Sequence, residues 1–162
     1  MSTDNIGEKV SYTISIAGLP EIKIEAGHVS RQANGAVIVS CRGTMVHASV
    51  VSAENPSANT EFLPLTVDYR ERFSAAGKIP GGFFKKEMGA NDTEILVSRL
   101  IDRSLRPLFP ENYFYDTQVI STLFSYDETA PPDVLALIAV SSAICMSDIP
   151  FNGPVAAVRI GK

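Results

Sequence analysis

Two groups of residues in the middle of the chain have the chemistry to bind a single-stranded nucleic acid. The first group, Phe83, Phe84, Lys85 and Lys86, directly follows a glycine pair. Adjacent side chains on an extended segment point in opposite directions, so we expect one phenyl ring to stay exposed beside the two ammonium groups. An exposed ring can stack on a base while the lysines neutralise phosphates. The alternative is a hairpin whose phenylalanines fill the core and whose lysines face water.

The second group is a row of three arginines, Arg99, Arg103 and Arg106, on a predicted helix. At 100° per residue the three directions fall within about 60° of each other, so the guanidinium groups share one side of the helix. The planar fork of arginine matches phosphate oxygens. Salt bridges to Asp102 or Glu94 are the structural alternative, and exposed pairs of that kind contribute only about 0–1 kcal/mol.

The distribution of charge supports a local anion site. The chain has 162 residues and a net charge of −4. The segment 70–106 holds eight basic and five acidic residues and is +3, which leaves −7 for the remainder (six basic minus thirteen acidic). A basic segment inside an acidic chain indicates a local site for a polyanion and argues against a protein that coats nucleic acid with its whole surface. A solvated charged stretch would have the same composition.

Other sites with chemical potential are weakly supported by the sequence. His28 and His47 are isolated, which favours structural roles. The cysteines, Cys41 and Cys145, are far apart, so we expect two free and mostly buried thiols. No residue set predicts a metal site, and no glycine-rich phosphate loop is present. An acidic loop around Asp127 is expected to be solvated.

These residues must be positioned by a fold that the sequence pattern predicts to be α+β. Alternating or β-branched runs predict strands, and two helices follow, the first with a capping box formed by Asn91 and Glu94 and an end at Pro107. The first helix is expected to bury Leu96 and Leu100 together with two later apolar residues. The expected strands are 12–16, 21–25, 36–41, 45–52, 64–69, 118–126 and 154–160, and the expected helices are 91–106 and 132–146. We therefore expect a mixed sheet with both helices packed on one face.

Several blocks of the chain, in order, resemble the polynucleotide phosphorylase family. The motifs that carry the resemblance are VDYRE at 67–71, GKIPGGFFKKE at 77–87, SRLIDRSLRPLFP at 98–110, YFYDTQV at 113–119, PDVLA at 132–136 and SDIPFNGP at 147–154. They cover most of the chain from about Gly35 onward. The wording around Arg103-Ser104 and at 113–116 is most similar to the mitochondrial enzymes of animals.

The resemblance implies a fold, an activity and a set of contacts. The fold is an RNase PH-like core, with a ribosomal-protein-type β-α-β arrangement. The family degrades RNA from its 3′ end with inorganic phosphate, releases nucleoside diphosphates and assembles as a trimer. Phosphate and magnesium are expected mainly in a second core, so no catalytic residue is assigned here. By the resemblance Phe83, Phe84, Lys85 and Lys86 occupy the aromatic-basic channel loop, where many members have arginines in place of the two lysines. Arg99, Arg103 and Arg106 match the signature helix and are assigned to RNA binding.

The resemblance covers only the first of the family's two cores. Residues 1–162 are therefore expected to form one such core, incomplete at its C-terminal end, and the chain alone is expected to be inactive. We expect a mitochondrial location, with the cytoplasm as the alternative, and no membrane span. The alternative functions are a single-core RNase PH-type nuclease that trims tRNA and a non-catalytic RNA-binding or assembly module.

Overall fold

A computed structural model describes residues 9–57, 62–81 and 89–161. Six strands and two α-helices account for most of this part of the chain, and two short 3₁₀ helices flank the first α-helix. In chain order the elements are β1 (Val10–Ile14), β2 (Ile22–Ala26), β3 (Gly35–Cys41), β4 (Thr44–Pro56), β5 (Leu65–Glu71), a 3₁₀ helix (Phe73–Ala76), α1 (Asp92–Leu105), a 3₁₀ helix (Arg106–Leu108), β6 (Tyr115–Ser125) and α2 (Pro132–Cys145).

The strands form one mixed sheet in the order β1-β2-β3-β4-β6-β5. Neighbours from β1 to β4 and the β4–β6 pair are antiparallel, whereas β5 and β6 are parallel. A parallel pair needs a long crossover connection, and α1 lies in the segment that joins β5 to β6. The chain therefore contains a β-α-β unit whose helix carries the arginine row.

Both helices pack on the same face of the sheet and enclose the core. The core residues of the central strands include Val39, Val46 and Leu123, which are paired across the sheet and point towards the helices. Helix α2 packs against β3, β4 and β6, and α1 packs against β5. The predicted α+β class, with helices on one face of a mixed sheet, is confirmed.

The helices agree closely with the prediction. Strand β1 begins and ends two residues earlier than predicted, and β6 begins three residues earlier. The two largest differences lie in β4 and at 154–160. Strand β4 continues four residues past the predicted end, to Pro56, with a register shift after Ser52. The predicted strand at 154–160 does not form. That segment runs along α2 instead, because the Val155 amide donates to Ser141 Oγ at 2.7 Å and Arg159 pairs with Asp133 at 2.6 Å. Its alternating pattern gives it a partly buried side, formed by Val155 and Ala157, but no strand in the described part of the chain pairs with it.

The two cysteines differ in their exposure. Cys41 and Cys145 are both free thiols, and Cys41 is buried as expected. Cys145 is exposed, contrary to the prediction, since it is the last residue of α2 and lies beyond the part that the sheet covers. No helix in the described ranges is long and apolar enough to cross a bilayer.

Candidate nucleic-acid interface

Helix α1 is held in place at its start by a buried carboxylate. The predicted capping box is present: the Glu94 amide donates to Asn91 Oδ1 at 2.8 Å, and the Asn91 amide donates to Glu94 Oε2 at 2.6 Å. The second carboxylate oxygen, Oε1, accepts from the Glu71 amide at 2.7 Å. One side chain therefore caps the helix and joins it to the end of β5. This second role leaves no signal in the sequence, because Glu71 is 23 residues away.

The end of α1 is fixed by Arg106, one of the three arginines assigned to RNA binding. Its guanidinium donates to Asp102 Oδ1 at 2.6 Å and to the carbonyl oxygens of Leu63 at 2.8 Å and Leu65 at 3.1 Å. The side chain is half-buried, and most of its donors already have protein acceptors. The salt bridge that the sequence left open as an alternative is thus present at this position.

Arg99 and Arg103 are in a different situation from Arg106. Both side chains are exposed on the outer face of α1. Within the described ranges neither makes a hydrogen bond or an ion pair, and Asp102 is engaged by Arg106. Their two guanidinium groups are therefore exposed to solvent about one helical turn apart, since residues 99 and 103 are separated by about 6 Å along the helix axis. Groups of this kind are available to an anionic ligand.

The apolar side of α1 was assigned incorrectly in part. Ile101 and Leu105 are buried as predicted, but Leu96 and Leu100 are 65% and 51% exposed. The helix buries Val97 instead, because β5 covers a narrower part of the α1 surface than the spacing of the apolar residues predicted. Leu96 and Leu100 therefore share the outer face with Arg99 and Arg103.

The aromatic-basic group Phe83, Phe84, Lys85 and Lys86 lies outside the described residues. The residues nearest to it that are described are Gly81 and Gly89. The assignment of these four side chains to RNA binding stays a prediction.

A cavity of about 480 Å³ is lined in part by Lys78 and Asn91, which lie close in sequence to Gly81 and Gly89. It lies between the 3₁₀ helix that follows β5, the start of α1 and the start of α2. Its charged lining residues are Glu71, Arg72, Lys78 and Arg159. Arg159 is already paired with Asp133, so the remaining groups, Arg72, Lys78 and Glu71, give the opening a net charge of about +1, which suits an anion. Sequence reasoning missed Arg159, since only the path of the chain along α2 brings it here.

Of the two histidines, His47 has contacts that identify a structural role. His47 is buried, its ring stacks on Phe124 with centroids 5.4 Å apart, and Nε2 lies 3.0 Å from Ser30 Oγ. Burial lowers the pKa of His47 below its usual range. Among the described residues no carboxylate hydrogen-bonds to the other side of the His47 ring to complete a catalytic set with Ser30, so the ring stacking and the hydrogen bond give His47 a structural role.

No group of three or more His, Cys, Asp or Glu side chains in the described ranges converges on a point that could hold a metal ion. Asp127 accepts from the amide and the hydroxyl of Thr129, which fixes a turn and lowers the pKa of that carboxyl. Asp133 is paired with Arg159. These residues do not fit a magnesium site, and no step is assigned to a metal here.

A family model and individual relatives of known name agree on the family of this chain. Residues 19–150 match the model of the 3′ exoribonuclease family, domain 1. The chain is 54% identical over 141 residues to the polyribonucleotide nucleotidyltransferase of Syntrophotalea carbinolica, covering 87% of this chain and 20% of that protein. It is 49% identical over 151 residues to the enzyme of the same name from Cytophaga hutchinsonii, covering 93% of this chain and 21% of that protein. The chain thus spans about a fifth of the length of these bacterial relatives.

Solved structures confirm the fold. Rice (Oryza sativa) Rrp46 superposes with a TM-score of 0.57 at 13% identity, over 94% of this chain and 61% of that one. The Archaeoglobus fulgidus exosome with RNA bound to the active site gives a TM-score of 0.51 at 13% identity, over 89% of this chain and 53% of that one. The fold is RNase PH-like, and the chain belongs to the 3′ exoribonuclease family, of which residues 19–150 form domain 1.

Proposed function

We propose that this chain is the first RNase PH-like core of a polyribonucleotide nucleotidyltransferase, an enzyme that degrades RNA from its 3′ end with inorganic phosphate. The identity of about 50% to proteins of that name supports the activity of the whole protein. In this proposal the core binds and guides single-stranded RNA, and the reaction itself takes place on residues outside the chain. Phosphate and magnesium would bind mainly there as well.

One observation supports the RNA contact: within the described ranges the guanidinium groups of Arg99 and Arg103 have no protein partner, and they lie on one exposed face of a fixed helix. Each guanidinium can donate two parallel hydrogen bonds to a phosphate. Because α1 is already fixed to β5, binding requires no reordering of the helix, and on this face of the protein the ordering cost is mainly that of two side chains. Arg106 supports this face from below by holding the end of the helix, and its remaining exposure leaves it a weaker contact.

Three further parts of the proposal rest on the resemblance alone. These are a homotrimer of the full-length protein, a mitochondrial location, and a closer relation to the animal mitochondrial enzymes than to the bacterial ones. The aromatic-basic segment at 83–86 is proposed, from the resemblance, to stack RNA bases.

The test is the salt dependence of binding to a single-stranded oligoribonucleotide. For single strands the slope of log K against log salt is about −0.7 for each phosphate contact. The Arg99→Ala/Arg103→Ala variant should therefore bind with a slope about 1.4 units less steep than the parent chain. The Arg31→Ala/Arg42→Ala variant makes the same change in net charge far along the sequence from α1, and its slope should be unchanged.

An unchanged slope in the first variant would mean that these arginines do not contact phosphate, and the proposal would lose its physical basis. Equal changes in both variants would indicate general electrostatic attraction and would count against a site on α1. The same preparations can be incubated with RNA and phosphate. We expect no release of nucleoside diphosphates from the chain alone; robust release would favour the single-core nuclease.

A further inference from the structure

The exposed face of α1 combines positive charge with apolar surface. Leu96 and Leu100 are each more than half exposed, and they share this face with Arg99 and Arg103. At 100° per residue the four side-chain directions fall within about 100° of each other, so they form one continuous surface. The RNA contact proposed above uses the two guanidinium groups and leaves the two leucines without a role.

The leucines and the arginines are neighbours along the helix. Residues three and four apart lie next to each other on a helix surface, so Leu96 adjoins both Arg99 and Leu100, and Leu100 adjoins Arg103. Each guanidinium group therefore has an exposed leucine beside it. The surface from residue 96 to residue 103 is about 10 Å long and offers one guanidinium group to each of two successive phosphates.

The carboxylates of α1 leave this surface positively charged. Asp102 is engaged by Arg106, and Glu94 is buried at the start of the helix, where it accepts backbone amides. Asp92 is exposed in the first turn, about 10 Å along the axis before Arg99, and it repels a polyanion at that end. The ligand that fits the charge of the surface is therefore an anion that lies over residues 96–103.

The apolar part of the surface narrows the choice among anions. An unpaired RNA strand offers a flat base and a phosphate in every repeat, whereas a duplex stacks its bases inside and presents mainly phosphates and sugars. A polyanion without bases would leave both leucines in water. An unpaired strand is the ligand that matches the charged and the apolar groups together.

We propose that Leu96 and Leu100 contact the faces of unpaired RNA bases while Arg99 and Arg103 bind the adjoining phosphates. The two leucines are then specificity-determining residues, which make α1 prefer strands with accessible bases over other polyanions of equal charge. A leucine side chain can pack against any base, so this preference does not depend on sequence. The role of the leucines rests on the RNA contact proposed above.

The size of the effect follows from the apolar surface that the leucines lose to the bases. If each leucine loses on the order of 30 Å² of exposed surface, apolar burial predicts about a tenfold gain in affinity. The salt dependence of binding should not change with the leucines, because they neutralise no phosphate. The contributions of the leucines and the arginines are therefore separable.

The experiment compares two labelled strands of equal length, an oligoribonucleotide and an abasic strand with the same number of phosphates. The Leu96→Gln/Leu100→Gln variant keeps good helix formers at both positions but replaces the apolar ends by amides. It should bind the oligoribonucleotide about tenfold more weakly than the parent with an unchanged salt slope. It should bind the abasic strand as tightly as the parent does. Because each variant is compared with the parent, base contacts elsewhere in the chain cancel.

The matched control is Ile16→Gln/Leu19→Gln. Both residues are more than half exposed, and they lie in the turn between β1 and β2, at the opposite edge of the sheet from β5 and α1. This variant should bind both strands like the parent. Urea unfolding of each variant checks that the fold is kept.

Failure of the leucine contact is distinguishable from failure of the proposed function. If Arg99→Ala/Arg103→Ala lowers the salt slope but the leucine variant binds the oligoribonucleotide like the parent, the phosphate contact stands and the leucine contact is overturned. Equal losses for the two strands would mean that the leucines act on the helix and not on bases, which also overturns it. Sedimentation equilibrium covers the protein alternative: a molar mass that falls in the leucine variant, with RNA affinity unchanged, would assign the leucines to a contact between copies, such as the proposed homotrimer, and overturn the base contact.

Discussion

Replacing Glu94 with alanine should destabilise the chain by far more than the loss of an ordinary helix cap. The carboxylate is buried and accepts two backbone amides, those of Asn91 at the start of α1 and Glu71 at the end of β5. Alanine removes both acceptors and leaves two donors in a site that water reaches poorly.

The magnitude follows from the two bonds. A hydrogen bond to a charged group contributes about 1.5–3 kcal/mol, so the pair contributes at least about 3 kcal/mol. A negative charge in the first turn adds about 0.3–1 kcal/mol through the helix dipole. Since a domain of this size is stable by about 5–15 kcal/mol, Glu94→Ala should remove a fifth or more of the total. Glu94→Gln keeps one oxygen acceptor and should fall in between.

The assay is urea unfolding followed by circular dichroism, with Asp92→Ala as the matched control. Asp92 is also a first-turn carboxylate, so the control loses the same charge and the same dipole effect. It is exposed, and its side chain has no hydrogen bond within the described residues. The difference between the two variants therefore isolates the bonds to Glu71 and Asn91. If Glu94→Ala costs no more than Asp92→Ala, the reasoning about this buried carboxylate is wrong.

Two other changes have outcomes that the structure determines. Gly35→Ala should lower the free energy of unfolding in urea by about 1–3 kcal/mol, because the added Cβ would lie 2.1 Å from the Ala143 carbonyl oxygen. Gly81→Ala has no atom of the described residues within 4 Å of its added Cβ and should leave the stability unchanged. Equal losses in the two variants would refute the steric argument. The pKa of His47 is lowered by burial, so its contribution to stability is present above its ordinary value of 6.5 and is lost as the pH falls from there towards the folded pKa. His47→Gln should reduce the pH dependence of the unfolding free energy between about pH 7 and 5. If the slope is unchanged, that pH dependence comes from other titrating groups.

The sequence predicted those features that depend on nearby residues. The capping box of Asn91 and Glu94 and the end of α1 at Pro107 are local patterns, and both are present. The strands of the first hairpins follow from alternation, which specifies one buried face. The order of the strands and the parallel β5–β6 pair could be expected only at the level of a mixed sheet, since they depend on which distant segments meet.

The errors come from interactions between distant segments. Periodicity shows that the segment at 154–160 has two faces, but not that α2, through Ser141, provides its partner. The spacing of apolar residues in α1 predicts a broad apolar side. It does not reveal that β5 covers only part of that side and leaves Leu100 exposed. The division of the arginine row is of the same kind, because the acceptors of Arg106 include carbonyl oxygens more than 40 residues away.

Helix α1 is joined to β5 by hydrogen bonds at three positions along its length. Glu94 accepts from the Glu71 amide at the start, and the Ser98 hydroxyl accepts from the Tyr69 amide at 2.9 Å. At the end of the helix, Arg106 donates to the Leu65 carbonyl oxygen. A helix fixed at three points can neither slide nor rotate without breaking hydrogen bonds to its strand. The distance between the two outward guanidinium groups can then change only through their own side-chain rotations. A flexible polymer that settles on this surface must therefore adapt its own backbone spacing to the protein.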